Sequence, residues 1–320
     1  MHLPQNLTPT DFDTRYRHDS QAWLPAIVDI CKAHGLPTTP LVSFPDGSNL
    51  IAAAADEFVV KVFPPFHRDQ WESERRTLAH LAAHDISISI PQLAGQGERE
   101  DRWTYVILSK LPGVTLERVW PSLTTAEKAG CMRQIGRVMA EVHAIPVGGL
   151  SDLDPLWASF LPKQIAQCKT RHTRLGMPEW FLREVENYVM SKEAPIPDEP
   201  SVILTGEYTP FNLLAGQINS QWQITGMIDF GDAMVGFREY DFLGPCLFLG
   251  EGNGSLIDAL FDGYRYTNPR FDAALRRRLM TLAILHRYSH LRAQIRIDDW
   301  PSRVQSLQDL EQLIFPSPST

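Results

Sequence analysis

A chain of 320 residues, 43% hydrophobic and 21% charged, has the mixture of a globular protein and the length for one large domain or two lobes. Its net charge of -8 argues against the basic footprint of a nucleic-acid binder and suits a cationic ligand, although such a charge speaks first to solubility. Cys31, Cys131, Cys168 and Cys246 have no short paired spacing, which disfavours a zinc site or a dense disulfide framework and reads as free thiols in a reducing cytosol.

The N-terminal stretch from Met1 to Ser20 is polar and lacks the apolar core of a signal peptide. No run of about 18 apolar residues occurs, so a soluble, cytoplasmic protein with no membrane contact is expected. Ser20 to His34 reads as a helix, with Trp23, Ile27 and Ile30 on one stripe and Gly35 as its stop. A stretch punctuated by Pro and Gly follows, then FVVKVF (Phe58 to Phe63), whose β-branched residues predict a strand. A helix from about Gln70 to His84 and a strand at TYVIL (Thr104 to Leu108) complete a compact α+β unit. Leu111-Pro112-Gly113 breaks the pattern and marks a linker, so residues 1–110 and 111–320 are expected to form separate lobes.

Beyond the linker helices dominate. Thr124 and Glu127 form a capping-box signature, and Met132, Ile135, Met139 and Val142 follow at helical spacing. Lys192 to Pro200, rich in prolines and acids, reads as a loop. Val202 to Asp241 reads as a strand, a tight irregular segment, a short strand, a turn at Gln217 to Ser220, and a longer strand ending in Asp229. Asp272 to Ile295 is expected to be largely helical, with Arg276-Arg277-Arg278 on a solvated face, and Pro316 onward to be a frayed tail.

The stretch LTGEYTPFNLL, followed by WQITGMIDFGDA, carries the chemistry. A carboxylate at Glu207 stands five residues before Asn212, and Asp229 follows on the next strand. Phosphoryl transfer asks for a group that orients the attacking hydroxyl and for two hard oxygen ligands to Mg²⁺. A carboxylate, an Asn and an Asp in this order meet that need. The third element even reads Asp229-Phe230-Gly231, as in protein kinases.

These residues resemble the aminoglycoside phosphotransferase family, which shows His-Gly-Asp, four residues, an Asn, and then an Ile-Asp closing a hairpin. The corresponding positions here are Thr205-Gly206-Glu207, Tyr208 to Phe211, Asn212 and Ile228-Asp229, and GDAMVGFREYDF extends the likeness to Asp241. The resemblance spans about Leu41 to Phe248. It implies a two-lobed, protein-kinase-like α+β fold, with a small N-terminal sheet lobe for the nucleotide. A larger, mainly helical C-terminal lobe would serve catalysis and acceptor binding. It further implies ATP (or GTP) with Mg²⁺ as donor and a small-molecule hydroxyl compound as acceptor. Glu207 would be the catalytic carboxylate, and Asn212 and Asp229 the metal ligands. Lys61, alone in an apolar strand, would hold the nucleotide's phosphates. Glu74, with Leu78 and Leu81 four and seven residues on, would orient Lys61.

Each residue also has an ordinary reading. A Lys in a strand commonly sits on a solvated face, and a Glu early in a helix favours the helix dipole. FPDGSN (Phe44 to Asn49) offers Gly47 and Ser48 as backbone donors to a phosphate, and Pro-Asp-Gly is equally good turn chemistry. His143 reads as a packed structural histidine, Asp241 as a helix cap or a brace for the catalytic loop, and Asp232 as a solvated carboxylate. Two positions depart from the family. Glu207 lengthens the usual Asp by a methylene, on the order of 1 Å, and misplacement on that scale can cost about 10²-fold in rate. Thr205 replaces the usual His with a shorter reach, leaving the loop to be held by another partner. Because phosphoryl transfer rests mainly on positioning and electrostatics, an active small-molecule kinase is expected. The alternative is a pseudokinase that binds nucleotide or a partner without transfer. Residues 237–320 contain ten acidic residues and ten Arg, so this segment carries no acidic excess for a polycationic acceptor.

Overall fold

The computed structural model describes residues 2–191, 196–197, 199–206, 208–267, 270 and 272–318. It separates into two compact units, the first built from residues up to 85, 89–112 and 228–233, the second from 86–88, 113–227 and 234 onward. Among the described residues no helix is long and apolar enough to cross a membrane.

In the first unit, strands β1 (Leu41–Phe44), β2 (Leu50–Ala54), β3 (Phe58–Phe63), β4 (Leu93–Glu98) and β5 (Thr104–Ser109) form an antiparallel sheet. Their order among the described residues is β1-β2-β3-β5-β4. Side chains alternate between the two faces. Ala52, Ala54, Val60, Val62 and Ile107 share one apolar core with Trp23, Ala26, Ile27, Ile30 and Cys31 of helix Ser20–Ala33. Lys61, between Val60 and Val62 and paired in register with Ile51 and Val106, therefore faces the other way, toward helix Arg68–Leu81.

Only β3 and β5 announce themselves as β-branched runs. β1 has four residues, β2 reads LIAAA and β4 reads LAGQGE, so strand preference is weak there and cross-strand pairing decides. The expected helix at about 70–84 starts at Arg68 and stops at Leu81.

In the second unit Thr124 caps helix Thr125–Ala144 by accepting from the Glu127 amide, and the Glu127 carboxylate accepts from the Thr124 amide in return. That helix meets helix Gly254–Tyr264 backbone to backbone. A Cβ on Gly136 would lie 2.1 Å from the Leu260 carbonyl oxygen, and one on Gly263 2.0 Å from that of Arg133. Glycine on both helices permits an approach that any side chain would block. The remaining strands are β6 (Val114–Thr115), β7 (Val202–Leu204), β8 (Leu213–Ile218), β9 (Gln221–Met227) and β10 (Met234–Gly236). β6, β8 and β9 form one small sheet, and β7 pairs with β10. Asn219 and Ser220 both take positive φ in the β8–β9 turn, the geometry of a tight hairpin. β9 ends at Met227, two residues before the expected end at Asp229.

Two readings of the C-terminal part are corrected. Arg278 does not face solvent: it pairs with buried Glu239 at 2.8 Å. Arg277 lies 3.9 Å from the Tyr188 ring centroid and 3.7 Å from Glu311, which also accepts from the Tyr188 hydroxyl. These partners are distant in sequence, so the local charge run gives no sign of them. Pro316 and Ser317 pack against Gly254, where a Cβ would meet their backbone at 2.5–2.6 Å, so this part of the tail is not frayed. Residues 319–320 lie outside the described residues, as do 192–195 and 198 of the expected loop.

His172, on helix Trp157–Arg174, is fully buried. Its Nε2 donates to the Ile284 carbonyl at 3.1 Å, and its Nδ1 has no partner among the described residues. Burial drives its pKa from 6.5 down to about 4. Between those values the unfolded chain takes a proton that the folded chain refuses. The stabilisation is full above about pH 6.5 and drains away toward pH 4, by roughly 3 kcal/mol in total. Urea unfolding at pH 7 and pH 4.5 should show His172→Gln losing roughly 2–3 kcal/mol less on acidification than the wild type. Equal acid losses in both proteins would reject this assignment.

Candidate active site

In the first unit, the alternation of β3 turns Lys61 away from the apolar core, and helix Arg68–Leu81 places Glu74 in front of it. The Lys61 Nζ lies 2.7 Å from Glu74 Oε2 and 2.8 Å from Asp229 Oδ1. Lys61 and Glu74 are 4% and 1% exposed, whereas the Asp229 side chain keeps 26% of its surface. The Glu74 contact is a short ion pair between two buried groups. The other Glu74 oxygen accepts from the Phe230 amide at 3.5 Å. Asp229 takes a left-handed φ of 66°, and its Oδ1 also accepts from the Gly231 amide at 3.1 Å. Phe230 is fully buried and anchors the turn.

The electrostatics follow from this packing. Burial opposes the Lys61 charge, but Asp229 and then Glu74 outweigh it and hold the ammonium above its ordinary range. Burial also pushes the Glu74 carboxyl up, to about 7, against the pull of Lys61 and with a further rise from Asp229. One ammonium is thus shared by two carboxylates. When Glu74 is ionised the group carries surplus negative charge at the partly exposed Asp229, which suits an added cation. Among the described residues no cluster of three or more His, Cys, Asp and Glu side chains is placed to hold a metal. Magnesium needs none, because it takes one or two protein oxygens and completes its shell with phosphate and water. Asp229 fits that role in charge, donor type and exposure.

Gly47 and Ser48 lie exposed in the turn between β1 and β2, with Gly47 at φ 103°, and Arg17 donates to the Gly47 carbonyl at 2.8 Å. Their neighbour Asn49 is buried. It donates to Gln70 Oε1 at 3.0 Å, and its Oδ1 lies 3.1 Å from His67 Nδ1. Gln70 in turn donates to Asp232 at 3.4 Å, so Asp232 is a half-buried partner and not a solvated carboxylate. Asn49 and Gln70 escaped the sequence reading because a lone amide carries no local signature.

In the second unit, the irregular segment after β7 is held by Asp241, which is 2% exposed. Its Oδ2 accepts from the Thr205 amide at 3.1 Å, and its Oδ1 from the Gly206 amide at 2.9 Å. The His143 Nε2 lies 3.1 Å from the same carboxylate, and its Nδ1 lies 2.9 Å from the Tyr264 hydroxyl. With Nε2 donating to Asp241, Nδ1 is left to accept from Tyr264. His143 is therefore buried, as expected of a packed histidine, and also belongs to the bracing network. The brace grips backbone amides, so it does not depend on which side chain stands at 205. Asn212 is half-buried, its backbone N–H donating to the Thr209 carbonyl at 3.1 Å just before β8. Glu207 lies outside the described residues.

Comparison with known proteins agrees with this architecture. Residues 47–279 match the APH phosphotransferase enzyme family. Similar solved structures include the GDP complex of wild-type aminoglycoside 2'-phosphotransferase-IIIa, at 18% identity and TM-score 0.68, covering 92% of this chain and 98% of that one. Another is the streptomycin–ATP–APH(2")-IIa ternary complex, at 17% identity and TM-score 0.58, covering 88% and 96% respectively. A third is aminoglycoside phosphotransferase APH(3'')-Id from Streptomyces rimosus, at 15% identity and TM-score 0.60, covering 82% and 98%. At these identities the likeness carries the fold, while the family match carries membership. The chain belongs to the APH phosphotransferase enzyme family and has its kinase-like fold.

Proposed function

We propose that this protein transfers the γ-phosphoryl group of ATP (or GTP) to a hydroxyl of a small molecule, with Mg²⁺. The reading rests on one observation above all: the buried Lys61 ammonium lies 2.7 Å and 2.8 Å from Glu74 and Asp229 in a chain of a phosphotransferase family. The GDP and ATP in two of the similar structures support a nucleotide here. In this reading the N-terminal lobe, residues 1–110, binds nucleotide, and residues 111–320 serve catalysis and the acceptor.

Lys61 holds the donor's phosphates, and Glu74 fixes the direction of Lys61. Gly47 and Ser48 offer backbone amides to a phosphate. Asp229 and Asn212 supply oxygens to Mg²⁺, which when bound would neutralise charge on the phosphates. Glu207 orients the acceptor hydroxyl and takes its proton. The hydroxyl oxygen forms the new bond to the γ-phosphorus while the bond to the bridging oxygen breaks, and the nucleoside diphosphate leaves. Asp241 keeps the loop before Glu207 in place through the Thr205 and Gly206 amides.

A second reading, a pseudokinase that binds nucleotide or a partner without transfer, is favoured by Thr205 and Glu207 standing where the family has His and Asp. Thermal unfolding with Mg·ATP and Mg·GTP separates these outcomes. A nucleotide at ~100 times its Kd should add about 2.7 kcal/mol of stability, and Asp229→Asn should abolish the metal-dependent part. No shift with either nucleotide would overturn the kinase reading and leave a pseudokinase that binds a partner. Stabilisation without turnover on any hydroxyl acceptor would select the second.

A further inference from the structure

Within the first unit, the turn between β1 and β2 is gripped by a side chain from well before it. The Arg17 Nη1 donates to the Gly47 carbonyl at 2.8 Å and to the Pro45 carbonyl at 3.3 Å. Asp13 Oδ1 lies 3.9 Å from the Arg17 Nε, too far for a hydrogen bond, so among the described residues the guanidinium's hydrogen bonds go to the turn. The backbone that delivers Arg17 is itself anchored. Its carbonyl accepts from Nε1 of buried Trp23 at 3.1 Å, and fully buried Phe12, on helix Pro9–Thr14, packs edge-on against Phe66. The ends of the turn are fixed separately, by the Phe44–Ile51 pair of the sheet and by buried Asn49, which donates to Ser48 Oγ at 3.2 Å. Arg17 precedes the residues that match the family, 47–279, and belongs to this chain's own N-terminal segment.

A grip on a carbonyl orients an amide. In a trans peptide the C=O and the N–H that follows it point to opposite sides. With the Gly47 carbonyl on Arg17, the Ser48 N–H is turned away from the guanidinium, and Pro45 does the same for the Asp46 N–H. Gly47 and Ser48 are exposed, and among the described residues their N–H groups donate to no protein acceptor. Gly47, at φ 103°, has no Cβ to oppose rotation of this peptide, so the constraint has to come from outside the turn. Arg17 supplies it.

We infer that Arg17 is a positioning residue for the nucleotide: it fixes the peptide between Gly47 and Ser48 so that the Ser48 N–H stands ready for a phosphate oxygen, without itself touching the phosphate. The inference deepens the kinase reading and rests on it for the phosphate. Backbone ¹⁵N relaxation on the full chain without nucleotide reads the grip. Order parameters of the Gly47 and Ser48 N–H groups should fall from about 0.85 to below about 0.6 in Arg17→Ala, while those of Val60 and Val62 in β3 stay at wild-type values. Calorimetric titration with Mg·ATP and Mg·GTP, well below the unfolding transition, reads the consequence. The Kd of the bound nucleotide should rise about 5- to 30-fold, the equivalent of ordering one backbone residue. A merely structural role would lower the melting temperature and leave this Kd unchanged, because far below the transition almost all of the protein is folded. Arg17→Lys keeps the charge but not the planar fork, and should restore binding only as far as it restores order. An ordered turn in Arg17→Ala, a loosened turn with wild-type Kd, or full recovery of Kd in Arg17→Lys with the turn still loose would each overturn the inference and leave the kinase reading standing. A wild type that binds neither nucleotide, with the turn loosened in Arg17→Ala, would overturn the kinase reading and the phosphate role of Arg17 with it.

Discussion

Lys61→Met should destabilise the protein by roughly 3–5 kcal/mol at pH 8, the cost of leaving a buried charge without its partner, and by clearly less at pH 6. Methionine nearly matches lysine in length and removes only the ammonium. Glu74, 1% exposed, is then left facing Asp229 with no cation between them. Its carboxyl is already pushed up to about 7 by burial and by Asp229, with Lys61 pulling it down. Without Lys61 it must rise further. A carboxyl whose folded pKa lies above its unfolded value penalises the fold at high pH, and the penalty fades as the pH falls through the folded value and the group takes its proton. The deficit measured by urea unfolding should therefore shrink on acidification. Adding Glu74→Gln should return part of it, because the amide buries no charge, and the double-mutant cycle should report a coupling of about 0.5–3 kcal/mol. A Lys61→Met protein with the wild-type urea midpoint at pH 8 would rule out this account of the pair.

The second large effect is expected at Asp241. Asp241→Ala removes the acceptor for three donors at once, the Thr205 and Gly206 amides and His143 Nε2. A buried donor left unsatisfied costs about 1–3 kcal/mol, although local opening that admits water keeps three such losses from adding in full. Hydrogen exchange gives the specific readout. The Thr205 and Gly206 amides should exchange faster than the loss of global stability alone predicts, since the segment opens locally. Asp241→Asn keeps one acceptor oxygen and should fall between the alanine variant and the wild type. His143→Ala leaves both amide bonds in place and should leave their protection largely intact. If His143→Ala matched Asp241→Ala in amide exchange, the histidine and not the amide contacts would hold the loop.

The elements legible in the sequence are those whose signal is local. FVVKVF and TYVIL are short β-branched runs, the Thr124–Glu127 box needs only its own turn, and the stripe of Trp23, Ile27 and Ile30 repeats at helical spacing. Strands β1, β2 and β4 lack such residues and exist because β3 and β5 give them edges to pair with. Helix Ser20–Ala33 packing on one face forces Lys61 to the other, a consequence of strand alternation that the motif order alone does not contain.

The same division runs through the candidate site. Lys61, Glu74, Asp229 and Asn212 could be named from residue type and order, and Lys61, Glu74 and Asp229 meet in the first unit at ion-pair distances. The contacts of Asn49, Gln70 and Tyr264 and the bracing contact of His143 could not be foreseen. An amide, a phenol or an imidazole has no informative neighbours until folding brings its partner close. The Arg276-Arg277-Arg278 run misled for that reason: its acidic and aromatic partners arrive from Glu239, Glu311 and Tyr188. The sequence by itself determined the family, the α+β kinase-like fold class and the order of the chemistry-bearing residues, because these reside in short motifs and local periodicity. Tertiary structure alone decided which face Lys61 occupies and what grips the loop at Thr205. Each of those depends on side chains far apart in the chain meeting at distances of a few ångströms.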